Sequence, residues 1–295
     1  MKKDNILEVI NLCKKIKSHT IIDSVTLTIK VGEIVGLVGP NGSGKTTIMK
    51  SILGLQSIQK GDIIYKGNSI HSKNYFPLMD VGALIEDPGY YPYLTLKENI
   101  KLFRGNDIDE LEVNKLSRML GIETAQDKKL SEFSLGMKQK YGIILAIIAS
   151  KGLVILDEPM NALDPMSMQG LREIISEYSR KGVSFLISSH IVSELIKIVD
   201  RVLILRDGSL INELNNKDRN EKFSVKLVFK EKIPHKYLKG RCHIVDDYKM
   251  ILQGVSKEYL AEVLNKIGKS HLDLSQVTIE QDTELQVLQA LRGER

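Results

Sequence analysis

The sequence predicts an α/β fold: a buried parallel sheet carrying a helical insertion, followed by a small accessory α+β domain. Three observations carry that prediction. Short, continuous runs of branched apolar residues, such as Ile34-Val35-Gly36-Leu37-Val38, alternate with helical spacing, the pattern of strands covered on both faces. From about Pro88 to Ala149 strand signals give way to helical ones. Beyond the polar run Asn215-Asn216-Lys217-Asp218-Arg219-Asn220, strand and helix signals resume.

In chain order, Ile34 to Val38 is a buried strand and Thr46 to Leu53 a helix after it. Val81 to Ile85 is a strand leading into the insertion, whose helices are expected at Leu96 to Phe103, Leu111 to Leu120 and Leu135 to Ala149. Leu153-Val154-Ile155-Leu156 is the next buried strand. The helix from Pro165 to Arg180 opens on Asp164-Pro165, a cap with proline at the first helical position. Val183 to Ile187 and Val202 to Leu205 are strands, with helical spacing from Ile191 to Val199 between them, and Asp207-Gly208 makes a hairpin turn. In the last part Phe223 to Phe229 and Met250 to Leu252 read as strands and Lys257 to Ile267 as a helix. The expected division is 1–214 for the main domain, with its insertion at about 88–149, and 215–295 for the accessory one.

The bulk numbers narrow the function classes. The chain has 295 residues, 42% hydrophobic and 27% charged, with a formal charge of +5. Lysines and glutamates are interspersed, so no basic block suggests a nucleic-acid arm. Cys13 and Cys242 have no companions at metal-ligand spacing and read as reduced thiols of a cytosolic protein. Glu8 interrupts the first apolar run too early for a secretory signal. The longest apolar stretch, Gly142 to Ala149, falls far short of the ~20 residues that cross a bilayer. Any membrane role is expected to belong to a partner.

Gly39-Pro40-Asn41-Gly42-Ser43-Gly44-Lys45-Thr46 fits the pattern GxxxxGK[ST], between a buried strand and a helix. Glycines let the backbone curl so that successive N–H groups point at phosphate oxygens. The following helix presents its positive end to the same anion. Lys45 supplies a point charge for the β- and γ-phosphates, and the Thr46 hydroxyl suits Mg²⁺. Leu156-Asp157-Glu158-Pro159 closes a second buried strand on the sheet edge where ligands bind in doubly wound folds. Asp157 is the expected Mg²⁺ partner, and Glu158 the general base that polarises the attacking water. His190 follows another strand on the same edge, where it is placed to touch the γ-phosphate and orient that water.

In this order the elements resemble the ATPases of ABC transporters, over roughly Ile6 to Leu214. The resemblance implies a P-loop NTPase fold with a mixed sheet, and ATP with Mg²⁺ as its ligands. Gly39–Thr46 corresponds to Walker A, with Thr47 beside it in the nucleotide-binding set, and Leu153–Glu158 to Walker B. Phe133-Ser134-Leu135-Gly136-Met137-Lys138-Gln139 stands at the signature motif, Asn161-Ala162-Leu163-Asp164 at the D-loop, and His190 at the switch histidine. Ser134, Gly136, Met137 and Asp164 are thereby implied as contacts to nucleotide in a head-to-tail dimer, with Ser134 opening a second phosphate-binding helix end. Leu135 and Met137 replace a glycine and a glutamine of that motif.

Two further departures are informative. Ile16 stands where the family usually stacks adenine on an aromatic ring. Glu86, in Ala83-Leu84-Ile85-Glu86-Asp87-Pro88-Gly89, replaces the Q-loop glutamine. A carboxylate accepts hydrogen bonds but, ionised, donates none; it retains the capacity to ligate Mg²⁺. This "E-loop" is similar to that of the ATPases of lantibiotic-immunity and bacitracin-resistance exporters. The implied function is ATP hydrolysis that drives separate membrane permease subunits, on the inner face of the cell membrane, to export antimicrobial peptide or antibiotic. A generic drug or lipid exporter, a non-transport ABC protein acting on ribosomes or DNA, and a small-molecule kinase are the competing readings.

Overall fold

A computed structural model describes residues 4–70, 80–105, 108–216, 223–233, 242–269 and 273–293. The chain forms two compact units, Met1–Glu213 and Leu214–Arg295. The polar run expected as a linker lies outside the described residues beyond Asn216.

The first unit runs β1 (Asn5–Ile16), β2 (His19–Lys30), β3 (Ile34–Val38), α1 (Lys45–Ile52), β4 (Lys60–Tyr65), β5 (Asn68–Ser69) and β6 (Val81–Leu84). It continues with α2 (Leu96–Arg104), α3 (Glu110–Met119), α4 (Leu135–Ala149), β7 (Leu153–Leu156), α5 (Pro165–Arg180), β8 (Ser184–Ser188), α6 (Val192–Leu195), β9 (Arg201–Arg206) and β10 (Ser209–Asn215). A six-stranded sheet has the order β10-β9-β3-β8-β7-β6. The pairings from β9 through β3, β8 and β7 to β6 are all parallel. Every residue of β3, β7 and β8 is buried, which is why these strands are unbroken apolar runs. Asp207 (φ 48°) and Gly208 (φ 80°) turn β9 onto β10, as that dipeptide predicts.

A second sheet, β2-β1-β4-β5, is antiparallel and was not expected from the sequence. The physical reason is that bulges disrupt its period of two. The β1–β2 register shifts between Val9 and Leu12, where Asn11 adopts φ 47°, and Ser24 on the facing strand adopts φ 51°. Ile48, Met49 and Ile52 of α1 lie in one core with Leu7, Val9 and Ile29 of this sheet and Val35, Leu37 and Ile155 of the other. The phosphate-loop helix is thereby held by both sheets.

The insertion contains α2, α3 and α4, each started by a capping side chain. Thr95 and Glu98 form a capping box, Asp109 accepts from Leu111 and Glu112, and Ser134 accepts from Met137. α5 spans Pro165–Arg180, capped by Asp164. The helix expected from Ile191 to Val199 is shorter, confined to Val192–Leu195. Ile191 offers no capping side chain, and β-branched Ile196, Ile198 and Val199 are weak helix formers.

The second unit holds β11 (Phe223–Phe229), β12 (Cys242–Asp246), β13 (Lys249–Val255), α7 (Lys257–Gly268), β14 (Leu274–Gln281) and α8 (Asp282–Arg292). Its antiparallel sheet, β12-β13-β11-β14, has a core of its own. Val225, Leu227, Met250 and Leu252 pack with Leu260 and Ile267 of α7.

Candidate active site

The loop after β3 has a shape that only its glycines allow. Gly44, the residue before α1, sits at φ 106°. A Cβ on Gly39 would stand 2.3 Å from the Leu205 carbonyl oxygen and 2.6 Å from Ser43 Oγ. Lys45 is 7% exposed, and its ammonium donates to the carbonyls of Gly39 (2.8 Å) and Pro40 (3.2 Å). The buried Ser43 hydroxyl has no hydrogen-bond partner among the described residues. A buried cation served only by neutral carbonyls, beside an unserved hydroxyl, fits an anion such as a polyphosphate. Pro40, Asn41 and Gly42 form the exposed lip of the loop, while Thr46 and Thr47 are half-buried.

Parallel pairing carries the ends of β3, β7 and β8 to one sheet edge, and with them the acids. Asp157 is 6% exposed. Its Oδ2 accepts a hydrogen bond from Thr46 Oγ1 at 2.6 Å, and its Oδ1 accepts one from Ser188 Oγ. Thr46 and Asp157, a hydroxyl and a carboxylate in contact beside the phosphate loop, fit the hard oxygen donors that Mg²⁺ takes. Glu158 adopts φ 50°, and its backbone N–H donates to Ser188 Oγ at 2.8 Å. Its Oε2 accepts the backbone N–H of His190 at 3.1 Å and lies 2.7 Å from His190 Nδ1. Thr46, Asp157, Glu158 and His190, singled out separately in the sequence, thus form one connected cluster. Nothing in the sequence singles out Ser188, which joins Asp157 to the Glu158 backbone; its only local signal is a hydroxyl at the end of a buried strand.

The start of α4 belongs to a second grouping. Ser134 Oγ accepts from Met137 N at 3.3 Å. A Cβ on Gly136 would lie 2.6 Å from the Ala162 carbonyl oxygen, so α4 rests directly on the Asn161–Asp164 loop. The Asp164 carboxylate accepts from Ser167 N (2.9 Å), Ser167 Oγ (2.7 Å) and Lys140 Nζ (2.8 Å). The hydrogen bond from Lys140, then those from Ser167, hold its carboxyl far below the usual carboxylate range. Asp164 is therefore engaged as a helix cap and ion-pair partner within its own chain. Gln139 Nε2 donates to the Glu158 carbonyl at 3.3 Å, tying α4 to the Asp157–Glu158–His190 cluster.

Glu86 is held by an ion pair to the helix that follows the loop. Its Oε1 lies 2.8 Å from Lys50 Nζ on α1, and the residue adopts φ 58°. Ile16, at the tip of the β1–β2 hairpin, is 49% exposed.

The family model described as "ABC transporter" matches residues 22–161. The lantibiotic transport ATP-binding protein SrtF of Streptococcus pyogenes is 35% identical over 231 residues, 77% of this chain and 100% of that protein. This chain belongs to the ABC transporter ATP-binding proteins. The bacitracin transport ATP-binding protein BcrA of Bacillus licheniformis is 31% identical over 294 residues, 94% of each chain. Among solved structures, one described as the ATP binding subunit of an ABC transporter superposes with a TM-score of 0.66. It has 27% identity over 89% of this chain and 99% of that one. An ADP-bound ATP-binding cassette, MJ1267, shares the fold with a TM-score of 0.63 over 73% of this chain and 92% of that one, at 21% identity. As a member of the ABC family this chain is an ATP-binding, ATP-hydrolysing subunit, homologous to lantibiotic and bacitracin transport ATPases. Among the described residues, no helix is long and apolar enough to cross a membrane.

Proposed function

We propose that this subunit clasps ATP between two copies arranged head to tail and hydrolyses it to drive a separate permease that exports antimicrobial peptide or antibiotic. The observation that carries the chemistry is the Thr46–Asp157–Ser188–Glu158–His190 cluster beside the Lys45 loop. Lys45 leaves its carbonyl partners for the β- and γ-phosphates, and the loop amides from Asn41 to Thr47 wrap the anion. Thr46 and Asp157 would hold Mg²⁺; the bound ion would neutralise charge on the phosphate oxygens. Glu158 takes a proton from the attacking water as general base, and the His190 ring fixes the orientation of its carboxylate. Ser134, Gly136 and Met137 of the second copy close over the triphosphate, together with that copy's Asp164 loop.

The permease is assigned to a groove of about 210 Å³ on the insertion side of the sheet, lined by Leu53, Leu55, Ala83, Ile85, Pro88 and Leu145 among others. Exposed Tyr91, Tyr93 and Phe103 (62% exposure for Tyr93) extend the same insertion with apolar surface. A cytoplasmic protein docked on a membrane partner's inner face accounts for these features. The cargo assignment rests on relatives named for lantibiotic and bacitracin transport and on Glu86.

Replacing Glu158 by Gln tests the chemistry. The variant is expected to bind ATP normally, to hydrolyse it about 10²–10⁴-fold more slowly, and to sediment as a dimer with ATP. Wild-type turnover in Glu158→Gln would remove the general base. For the cargo, expression with its permease should raise resistance to a lantibiotic or bacitracin; resistance only to unrelated drugs would favour a general exporter.

A further inference from the structure

One ion pair near the site plays no part in the hydrolysis chemistry, yet it joins two walls of the groove. Lys50 lies on α1, the helix that starts at the phosphate loop, and Glu86 follows the end of β6. Their Nζ–Oε1 distance is 2.8 Å, with side chains 23% and 64% exposed. Leu53 and Leu55, which follow Lys50, line the groove; so do Ile85 and Asp87, which flank Glu86. Glu86 holds φ 58°, a left-handed backbone that a residue with a side chain keeps only when its surroundings impose it.

The far end of the same segment is fixed to α4. Tyr141 Oη donates to the Gly89 carbonyl at 3.3 Å, and a Cβ on Gly142 would stand 2.8 Å from Pro88 Cβ. The Glu86–Gly89 segment therefore spans from the phosphate-loop helix to the helix that begins at Ser134. Tyr141 is fully buried and its end is a packed contact. The Lys50 end is a charge pair in partial contact with water, the attachment more easily changed.

We propose that Lys50 is a positioning residue. By holding the Glu86 carboxylate it fixes the rim of the groove to the phosphate-loop helix, so that the segment from Glu86 to Gly89 shifts when triphosphate engages Lys45. This rests on the reading above, in which the loop binds ATP and the groove takes the permease. The chain contains no tryptophan, so a single Tyr90→Trp substitution in the full-length protein reports on this segment alone. Magnesium–ATP should change its emission. Lys50→Met should reduce that change by about threefold or more, the upper range for a partly exposed ion pair. Affinity for a fluorescent N-methylanthraniloyl-ATP should stay within about twofold, since the pair is outside the phosphate cradle. Lys50→Arg should restore the change, as should the exchanged pair Lys50→Glu with Glu86→Lys. A role in packing alone would not be rescued by exchanging the charges.

An unchanged response in Lys50→Met, failure of both rescues, or no response in the Tyr90→Trp parent that binds the ATP analogue overturns this role for Lys50. A parent that fails to bind the analogue overturns the nucleotide reading itself, and the two failures are thereby separated.

Discussion

At the scale of single residues, the site depends on a hydroxyl as much as on its acids. Ser188 Oγ donates to Asp157 and accepts from the Glu158 backbone N–H. Its replacement by Ala would leave that N–H unsatisfied beside a buried carboxylate, at a cost of about 1–3 kcal/mol. The expected kinetic result is a fall in kcat of about tenfold to a hundredfold through misplacement of Glu158, with KM for ATP little changed. Ser188→Thr, which keeps the hydroxyl and suits a strand, should recover most of the activity. Equal loss in both variants would show that the hydroxyl is not what matters. Glu158 and His190 were legible as candidates because each ends an apolar run. Their contact was not, since 32 residues separate them. Ser188 acquires its role only when β7 and β8 lie side by side.

At the scale of elements, α3 of the insertion is fastened to α5. A Cβ on Gly170 of α5 would lie 1.8 Å from the Met119 carbonyl oxygen of α3, so the two helices touch where α5 has no side chain. Gly170→Ala must separate them, with an expected destabilisation near 3 kcal/mol, the upper end for overpacking. A chemical-denaturation midpoint equal to the wild type would contradict this contact. Alongside, Glu177 of α5 pairs with Lys115 of α3 and with Lys181. Hydrogen bonds from Lys115 and then Lys181 hold its carboxyl down to about 2, from the ordinary 4.5. A carboxyl depressed in the folded state stabilises the fold above its unfolded pKa and ceases to do so as pH falls through the folded one. The gap in Tm between wild type and Glu177→Gln should therefore be present at neutral pH, narrow below 4.5 and close near 2. A gap independent of pH would show that the pair is not the source of the stability.

At the scale of the molecule, every residue assigned to ATP belongs to the first unit, and each unit has its own buried core. β10 runs to Asn215, so a cut within it would unpair the edge of the six-stranded sheet. A chain ending after Asn216 is expected to fold cooperatively and to bind magnesium–ATP with affinity within about threefold of the full length, since no phosphate contact is removed. An aggregated or non-binding product would show that the first unit needs the second. The fold class and the helices Leu135–Ala149 and Pro165–Arg180 were legible at this scale, because unbroken apolar runs and capping residues are local patterns. The bulged β1–β2 sheet was not, because each bulge shifts the alternation that marks a half-buried strand.

The sequence by itself determined what is written in contiguous residues: the phosphate loop between a buried strand and a helix, the acids ending the next strand, and the departures at Ile16, Met137 and Glu86. These follow from backbone freedom, charge and periodicity within a few positions of one another. Only the tertiary structure decided which distant side chains meet: Thr46 with Asp157, Glu158 with His190, Asp164 with Lys140, and Glu86 with Lys50. Such partners are chosen by strand order and helix placement. A polar side chain carries no mark of them until the chain has closed around it.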